Sequence, residues 1–332
     1  MADGGSESAS DSSAPRGVHG GGRFNHAPVL FNEAIHFLAI RRGGTYVDAT
    51  LGLGGHSSAI AAALGREGRL IAFDKDPVAL EMARQRLAAP EGRQDDWPEV
   101  VLHHASYAEL AERVAPGSAD GVLADLGVSS MQLDDASRGF SFQADGRLDM
   151  RMNPESELTA EQVVNQFGES DLADLIYEFG EERRSRRIAR AIVRARPVRT
   201  TAHLAQVVSA AARPIPHAKG KGKGKGIHPA TLTFQAIRIF VNRELEDLDA
   251  LLAAAPKVVK PGGRLVVISF HSLEDRRVKD AVRDGHRDGV WLALSKKPVI
   301  ATPEEMDENP RSRSAKLRAA ERMAPVVGRG NR

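Results

Sequence analysis

Short apolar runs at 46–50, 69–73, 100–103 and 121–124 are each followed by a glycine-rich or acidic turn. Runs of this length and density read as parallel strands buried on both faces. Helical stretches lie between them, clearest at 77–87, where Pro77 opens a segment carrying Ala79 and Ala83. Strands alternating with helices predict an α/β fold built on a doubly wound parallel sheet.

The next strand, 264–270, arrives only after Pro261-Gly262-Gly263, an interval far longer than a crossover helix needs. The pattern therefore predicts an inserted small helical domain. Its helices have readable ends: Thr159 with Gln162 forms a capping box, Gly180 closes the helix that follows Ser170, and Pro197 stops the arginine-rich run that begins near Glu182. Pro229 then opens one long amphipathic helix, with Leu232, Ile239, Leu245, Leu248 and Leu252 roughly on one face. The expected organisation is a disordered tail at 1–23, the sheet domain in two parts at 24–133 and 229–308, the helical insertion at 134–228, and a basic, loosely patterned segment at 309–332.

Composition narrows the function classes. Of the 332 residues, 42% are hydrophobic and 27% charged, the balance of a globular protein and not of a fibre or membrane protein. The formal net charge is only +2, so a nucleic-acid partner has to be argued from where basic residues cluster. The chain has no cysteine. Disulfides, cysteine-bound zinc and thiolate nucleophiles are thereby excluded, and with the thiolate goes the usual route to methylation of a pyrimidine at carbon 5. The first 22 residues are rich in Ser, Gly and Asp and lack the basic start and apolar core of a secretory signal. No apolar run approaches the roughly 18 residues of a membrane span. A cytoplasmic protein without membrane contact is the expectation, its oligomeric state open, a homodimer included.

The first strand runs into Asp48-Ala49-Thr50-Leu51-Gly52-Leu53-Gly54-Gly55-His56, a glycine turn that lets a ligand approach the backbone at a helix start. Asp74 ends the second strand about twenty residues on, where a carboxylate accepts hydrogen bonds from ribose hydroxyls. Asp125 ends the fourth strand, so the three features converge at the carboxyl edge of the sheet. Either a nicotinamide dinucleotide or S-adenosylmethionine suits such a turn. A dinucleotide fingerprint would carry a third Gly or Ala where this chain has Ser57, which tilts the reading toward the second. His56 meets the cofactor or satisfies the first turn of its helix, and Tyr107 packs against an adenine or belongs to the core.

Beyond these features the motifs become specific. Tyr46-Val47-Asp48-Ala49-Thr50-Leu51-Gly52, Asp125-Leu126-Gly127-Val128-Ser129-Ser130 with Gln132-Leu133-Asp134, and Arg138-Gly139-Phe140-Ser141-Phe142 resemble the bacterial 16S ribosomal RNA cytosine-N4 methyltransferase family. So do His26-Ala27-Pro28-Val29-Leu30, Leu148-Asp149-Met150-Arg151-Met152, Tyr177 through Gly180-Glu181-Glu182-Arg183, and His228-Pro229-Ala230-Thr231 with Phe234-Gln235-Ala236. Phe270-His271-Ser272-Leu273-Glu274-Asp275-Arg276 and Asn309-Pro310-Arg311-Ser312-Arg313-Ser314-Ala315-Lys316-Leu317-Arg318 complete the set, which runs from about His26 to Arg322. The resemblance implies a methyltransferase sheet with an inserted helical domain, S-adenosylmethionine as methyl donor with no metal, and 16S ribosomal RNA or the small ribosomal subunit as partner. It implies cofactor contacts at Gly54, Gly55, His56, Asp74, Tyr107, Asp125 and Gln132. Tyr107 stands where a phenylalanine is common, and Arg147 where the family usually has proline.

For the chemistry, Asp125 is expected to accept a hydrogen bond from the cytosine amine or to serve mainly in binding the cofactor. His271 takes the released proton or caps its helix together with Ser272. Basic residues cluster at 183–199, in the lysine–glycine run 219–225 and at 311–318. Of these the last is the best candidate for RNA phosphates, with Arg311, Arg313 and Lys316 as contacts. Two other classes stay open on the residues alone: a nicotinamide-dependent oxidoreductase, and a non-catalytic RNA-binding assembly factor on the same fold.

Overall fold

The protein is described by a computed structural model covering residues 28–212 and 228–325. The tail, His26, Ala27 and the lysine–glycine run 219–225 lie outside the described residues. Seven strands, β1 (Thr45–Asp48), β2 (Arg69–Asp74), β3 (Glu99–His104), β4 (Ala119–Asp125), β5 (Val259–Ser269), β6 (Trp291–Ala293) and β7 (Lys316–Arg322), form one sheet in the order β3-β2-β1-β4-β5-β7-β6. The first five run parallel; β7 is antiparallel to both β5 and β6. Val47, Leu70, Ala72, Phe73, Val122, Leu123 and Ala124 are fully buried. Covered on both faces, such strands are apolar without alternation, which is why their pattern reads so directly.

Two expectations about strands are corrected. Pro261-Gly262-Gly263 lies inside β5 and not before it: Val259 pairs with Ala119, and pairing resumes at Arg264 opposite Gly121 after a bulge. A proline and two glycines are tolerated there because the bulged residues leave the ladder. The basic segment after 309 is not loosely patterned either. Leu317 and Ala319 enter the core on one sheet face and Ala320 that on the other, so β7 is a central strand whose signal is diluted by Lys316, Arg318 and Arg322.

Helices α1 (Phe31–Leu38), α2 (Gly55–Leu64), α3 (Pro77–Arg86), α4 (Leu110–Arg113) and α5 (Ser130–Asp134) belong to the first half of the sheet. Next come α6 (Ala160–Gln166), α7 (Glu169–Gly180), α8 (Ser185–Ala195) and α9 (Thr201–Ala212), then α10 (Thr231–Asn242), α11 (Glu244–Val258) and α12 (Ser272–Arg287). Residues of α6 to α10, with Phe140, Leu148 and Met150, share a core separate from the two that cover the sheet. The Thr159–Gln162 capping box forms as expected. Gly180, in contrast, is the last residue of α7 and not its cap; Glu181 takes the left-handed conformation, φ 51°. Glycine is needed at 180 for another reason: a Cβ there would meet the Leu232 carbonyl oxygen at 2.6 Å, where α7 crosses α10.

The single long helix after Pro229 is in fact two, broken at Arg243, φ 53°. Ile239 and Leu245 pack with Leu273, whereas Leu248 and Leu252 pack on the sheet, so the apparent stripe serves two surfaces. Asn242 makes the break specific. Its Nδ2 donates to the Met150 carbonyl at 2.7 Å, its Oδ1 accepts from Met152 N at 2.7 Å, and its own carbonyl accepts from Lys75 Nζ at 2.7 Å. The helical unit is thus tied to the carboxyl end of β2.

Candidate functional site

At the carboxyl edge of the parallel strands a cavity of about 850 Å³ opens, within the range of small-molecule sites. Its floor begins at the turn after β1. Gly52 and Gly54 have φ of 51° and 75°, conformations that cost a non-glycine residue free energy, and a Cβ on Gly55 would meet the Pro28 ring at 2.5 Å. Asp48 fastens this turn: its buried carboxylate accepts from Ser57 Oγ at 2.7 Å and from Thr50 N at 3.1 Å. Ser57, which breaks the dinucleotide pattern, is therefore the residue that ties α2 to β1. Thr50 Oγ1 in turn accepts from Asp125 N at 2.6 Å and fixes the end of β4 beside the turn.

Gly55, His56, Asp74, Tyr107, Asp125 and Gln132 all line the cavity; Gly54 caps α2 just behind it. Asp74 accepts from Gly52 N and Asp76 N, each at 2.8 Å, and burial pushes its carboxyl up to about 6. Asp125 is raised well above the usual carboxylate range by burial, reinforced by the charges of Asp48 and Glu274. Its Oδ1 is buried with no hydrogen-bond partner, and its Oδ2 lies 3.6 Å from His56 Nδ1. The His56 ring stacks on Phe31 at 5.7 Å, and burial lowers its pKa to about 4, so it is a neutral imidazole at physiological pH. Its Nε2 is likewise unpartnered. Two unsatisfied polar atoms at one cavity floor cost free energy that a polar ligand recovers.

Gln132 is more constrained than its motif suggests. It closes a capping box with Ser129 and donates at 2.9 Å to Asp76, a buried carboxylate that also receives Arg138 at 2.8 Å. Tyr107 lines the cavity, and burial raises its hydroxyl well above the ordinary value.

His271 is not brought to the cavity as expected. Its side chain is 8% exposed and caps α12, with Nδ1 accepting from Glu274 N at 3.4 Å and Nε2 3.1 Å from Glu274 Oε1. A histidine preceding a helix start serves as a cap as well as a proton acceptor, and here the helix claims it. Of the three basic residues expected to meet substrate, Arg311 lines the cavity mouth, 4.0 Å from Asp134. Arg313 is exposed outside it, and Lys316 is paired with Asp275 at 3.2 Å, alongside Arg318.

Several cavity residues escape sequence reasoning: Lys75, Arg238, Glu244, Phe270 and Glu274. Glu274 lies within the motif that begins at Phe270, whereas Arg238 and Glu244 straddle a helix break that leaves no periodic mark. Ligand atoms of Glu244, His271 and Glu274 lie within 4.8 Å of one another, a spacing suited to a cation. Each is already engaged within the protein, Glu244 by Arg238 and the other two by the cap of α12.

A doubly wound sheet with a glycine turn after β1, a carboxylate closing β2 and a second carboxylate beside an open cavity at β4 defines an α/β enzyme that binds a nucleoside-bearing cofactor. The family model described as the MraW methylase family matches residues 23–323, and the chain belongs to that family. The resemblance carried by the motifs is thereby borne out, and the oxidoreductase alternative falls. The chain is 67% identical over 313 residues to ribosomal RNA small subunit methyltransferase H of Koribacter versatilis (strain Ellin345), covering 94% of this chain and 98% of that protein. It is 64% identical over 301 residues to the protein of the same name from Acidobacterium capsulatum (strain ATCC 51196), covering 90% and 99%. Among the described residues no helix is long and apolar enough to cross a membrane.

Proposed function

We propose that the protein transfers the methyl group of S-adenosylmethionine to the exocyclic N4 amine of a cytosine in the RNA of the small ribosomal subunit. The observation that carries this reading is the unpartnered Asp125 Oδ1 at the cavity floor, beside the glycine turn that would seat the donor. Family membership and relatives named ribosomal RNA small subunit methyltransferase H support the substrate class.

The residues present fit the donor. Asp74 is set to accept the ribose hydroxyls, the Tyr107 ring to pack on the adenine, and the turn at 52–56 to receive the amino-acid end. The acidic side chains Asp74 and Glu274 line the cavity, and, against the opposing effect of burial, His271 and Arg238 hold the Glu274 carboxyl below its ordinary value and so ionised, which favours a positively charged sulfonium. When bound, S-adenosylmethionine supplies a methyl carbon made electrophilic by that sulfur.

Asp125 does the remaining work on the acceptor. The cytosine amine is a poor nucleophile because its lone pair is delocalised into the ring. A carboxylate oxygen accepting one amine hydrogen draws the lone pair back onto nitrogen and orients it. Because burial raises its proton affinity, Asp125 Oδ1 also takes the proton that the methylated amine must lose. Orientation within about 3 Å in line with the departing sulfur supplies most of the acceleration. A stacked base cannot reach this floor, so the cytosine enters unpaired, its ring against Phe270 and Met152 at the cavity wall. Arg311 at the mouth is placed for the backbone phosphate of that nucleotide.

The test is methyl transfer to small subunits isolated from cells lacking this protein, followed by mass mapping of the RNA. One cytosine gaining one methyl on N4 is expected. Transfer to another base, or to carbon 5, would sink the proposal.

A further inference from the structure

The lining of the same cavity includes a guanidinium whose presence the chemistry above does not use. Arg238, on the last turns of α10, is 16% exposed, and it opens on the cavity. A buried guanidinium is stable only when it is paired. Glu244, at the start of α11, supplies the pairing from one side only: Arg238 Nε donates to Glu244 Oε1 and Nη2 to Oε2, each at 2.9 Å. This side-on fork is rigid, because the left-handed Arg243 between the two helices fixes where both partners stand. It leaves the Nη1 edge unspent, and no described residue accepts a hydrogen bond from it. The charge is not isolated from the chemistry, since Arg238 acts electrostatically on Glu274, and Glu274 on Asp125.

A donor edge held against a carboxylate, in the same cavity as an unpartnered acceptor, has the pattern of one nucleobase edge in complement. Cytosine presents an amine donor at N4 and acceptors at N3 and O2. Uracil presents a donor at N3, which would oppose the guanidinium, and adenine has a carbon-bound hydrogen where cytosine has O2. On the functional reading above, we infer that Arg238 is the specificity-determining residue of the site, its Nη1 edge donating to N3 and O2 of the cytosine while Asp125 accepts from the amine. Glu244 is the positioning residue that presents that edge. A site built to hydrogen-bond a group rejects analogues lacking it far more strongly than an apolar pocket can. The selectivity of this enzyme for cytosine then resides in a pair formed across a helix break.

An acceptor-bearing ligand could also be the carboxylate of the methyl donor, and the experiment separates the two. Binding of cytidine, 3-deazacytidine and uridine is measured by calorimetry on the full chain loaded with S-adenosylhomocysteine, for the wild type, R238K and R238M. The wild type should bind cytidine about tenfold or more tighter than 3-deazacytidine, which lacks the N3 acceptor, and R238M should bind the two equally. R238K, which keeps the charge without the fork, should lose at least about tenfold in kcat/KM for unmethylated small subunits with the KM for S-adenosylmethionine unchanged. Equal wild-type affinity for cytidine and 3-deazacytidine overturns the assignment without any variant having to fold. So does a loss of donor affinity in R238K with nucleoside discrimination kept. Wild-type methyl transfer measured in parallel tells the two readings apart: if transfer to cytosine itself fails, the proposed function has failed; if it succeeds, only the role of Arg238 falls.

Discussion

Asp74 and Asp125 are both buried carboxylates at strand ends, but their partners differ, and so do the roles assigned to them. Asp74 is held by two backbone N–H groups, which fixes its direction without meeting all of its acceptor capacity. Its folded pKa of about 6 lies above that of a free carboxyl. In the ligand-free protein, Asp74 therefore contributes stability in acid that is lost as pH rises through about 6. Donor binding runs the other way, because the ionised form accepts ribose hydroxyls best. Affinity for S-adenosylmethionine should fall as pH drops through about 6. In Asp74→Asn it should be at least about tenfold weaker and lose that pH dependence, both read by calorimetry. Asp125→Asn keeps an oxygen acceptor but no proton affinity. Its kcat should fall by about two to three orders of magnitude with a smaller change in donor affinity; single-turnover rates near wild type would remove Asp125 from the chemistry. His56 titrates near 4 and contributes no step to the profile between about pH 5 and 9.

At the scale of elements, the helical unit depends on two junctions, the α7–α10 crossing and the break at Arg243. Gly180→Ala puts a methyl into the Leu232 carbonyl at the α7–α10 crossing and should cost about 1–3 kcal/mol, measured as a lowered urea midpoint. An unchanged midpoint would mean that the two helices have room to part. The same junctions mark where the sequence stops being legible. The parallel strands, the glycine turn, Asp74 and Asp125 are readable because burial on both faces leaves unbroken apolar runs that end in a carboxylate at the cavity. The strand β7 is hidden because each side chain meets a different environment: Lys316 and Arg318 pair with Asp275, Glu321 with Arg264, and Arg322 donates to the Pro256 and Val290 carbonyls. The break at Arg243 is hidden for a related reason. Asn242, the last residue of α10, is held at the break by Met150, Met152 and Lys75, which come from two distant segments. Arg238 and Glu244 escape with it, although both are polar residues facing a cavity, because their pairing exists only once the helix has turned. His271 is the opposite case: at a strand end its residue type allows a proton acceptor or a helix cap, and the folded helix takes it as the cap.

Across the whole molecule the charge is nearly balanced, and RNA affinity has to come from a local field. Arg311 at the cavity mouth and exposed Arg313 beside it lie on the short 3₁₀ turn Pro310–Ser314 that leads into β7, and this turn is the proposed contact for the RNA backbone. Reversing both charges should weaken binding to unmethylated small subunits and lower the slope of log affinity against log salt by about one for each phosphate no longer neutralised, with donor affinity intact. An unchanged slope would move the RNA interface elsewhere, the arginine face of α8 being the next candidate. The methyl donor and the base meet only because β1, β2 and β4 end at one edge while α10 and α11 close over it, and catalysis depends on that single cavity holding the donor. Calorimetric titration of S-adenosylmethionine into the purified protein, with and without unmethylated small subunits, tests this most directly. Saturable binding of one donor per chain, weakened in Asp74→Asn, is the predicted result; no binding even with the subunits present would contradict it.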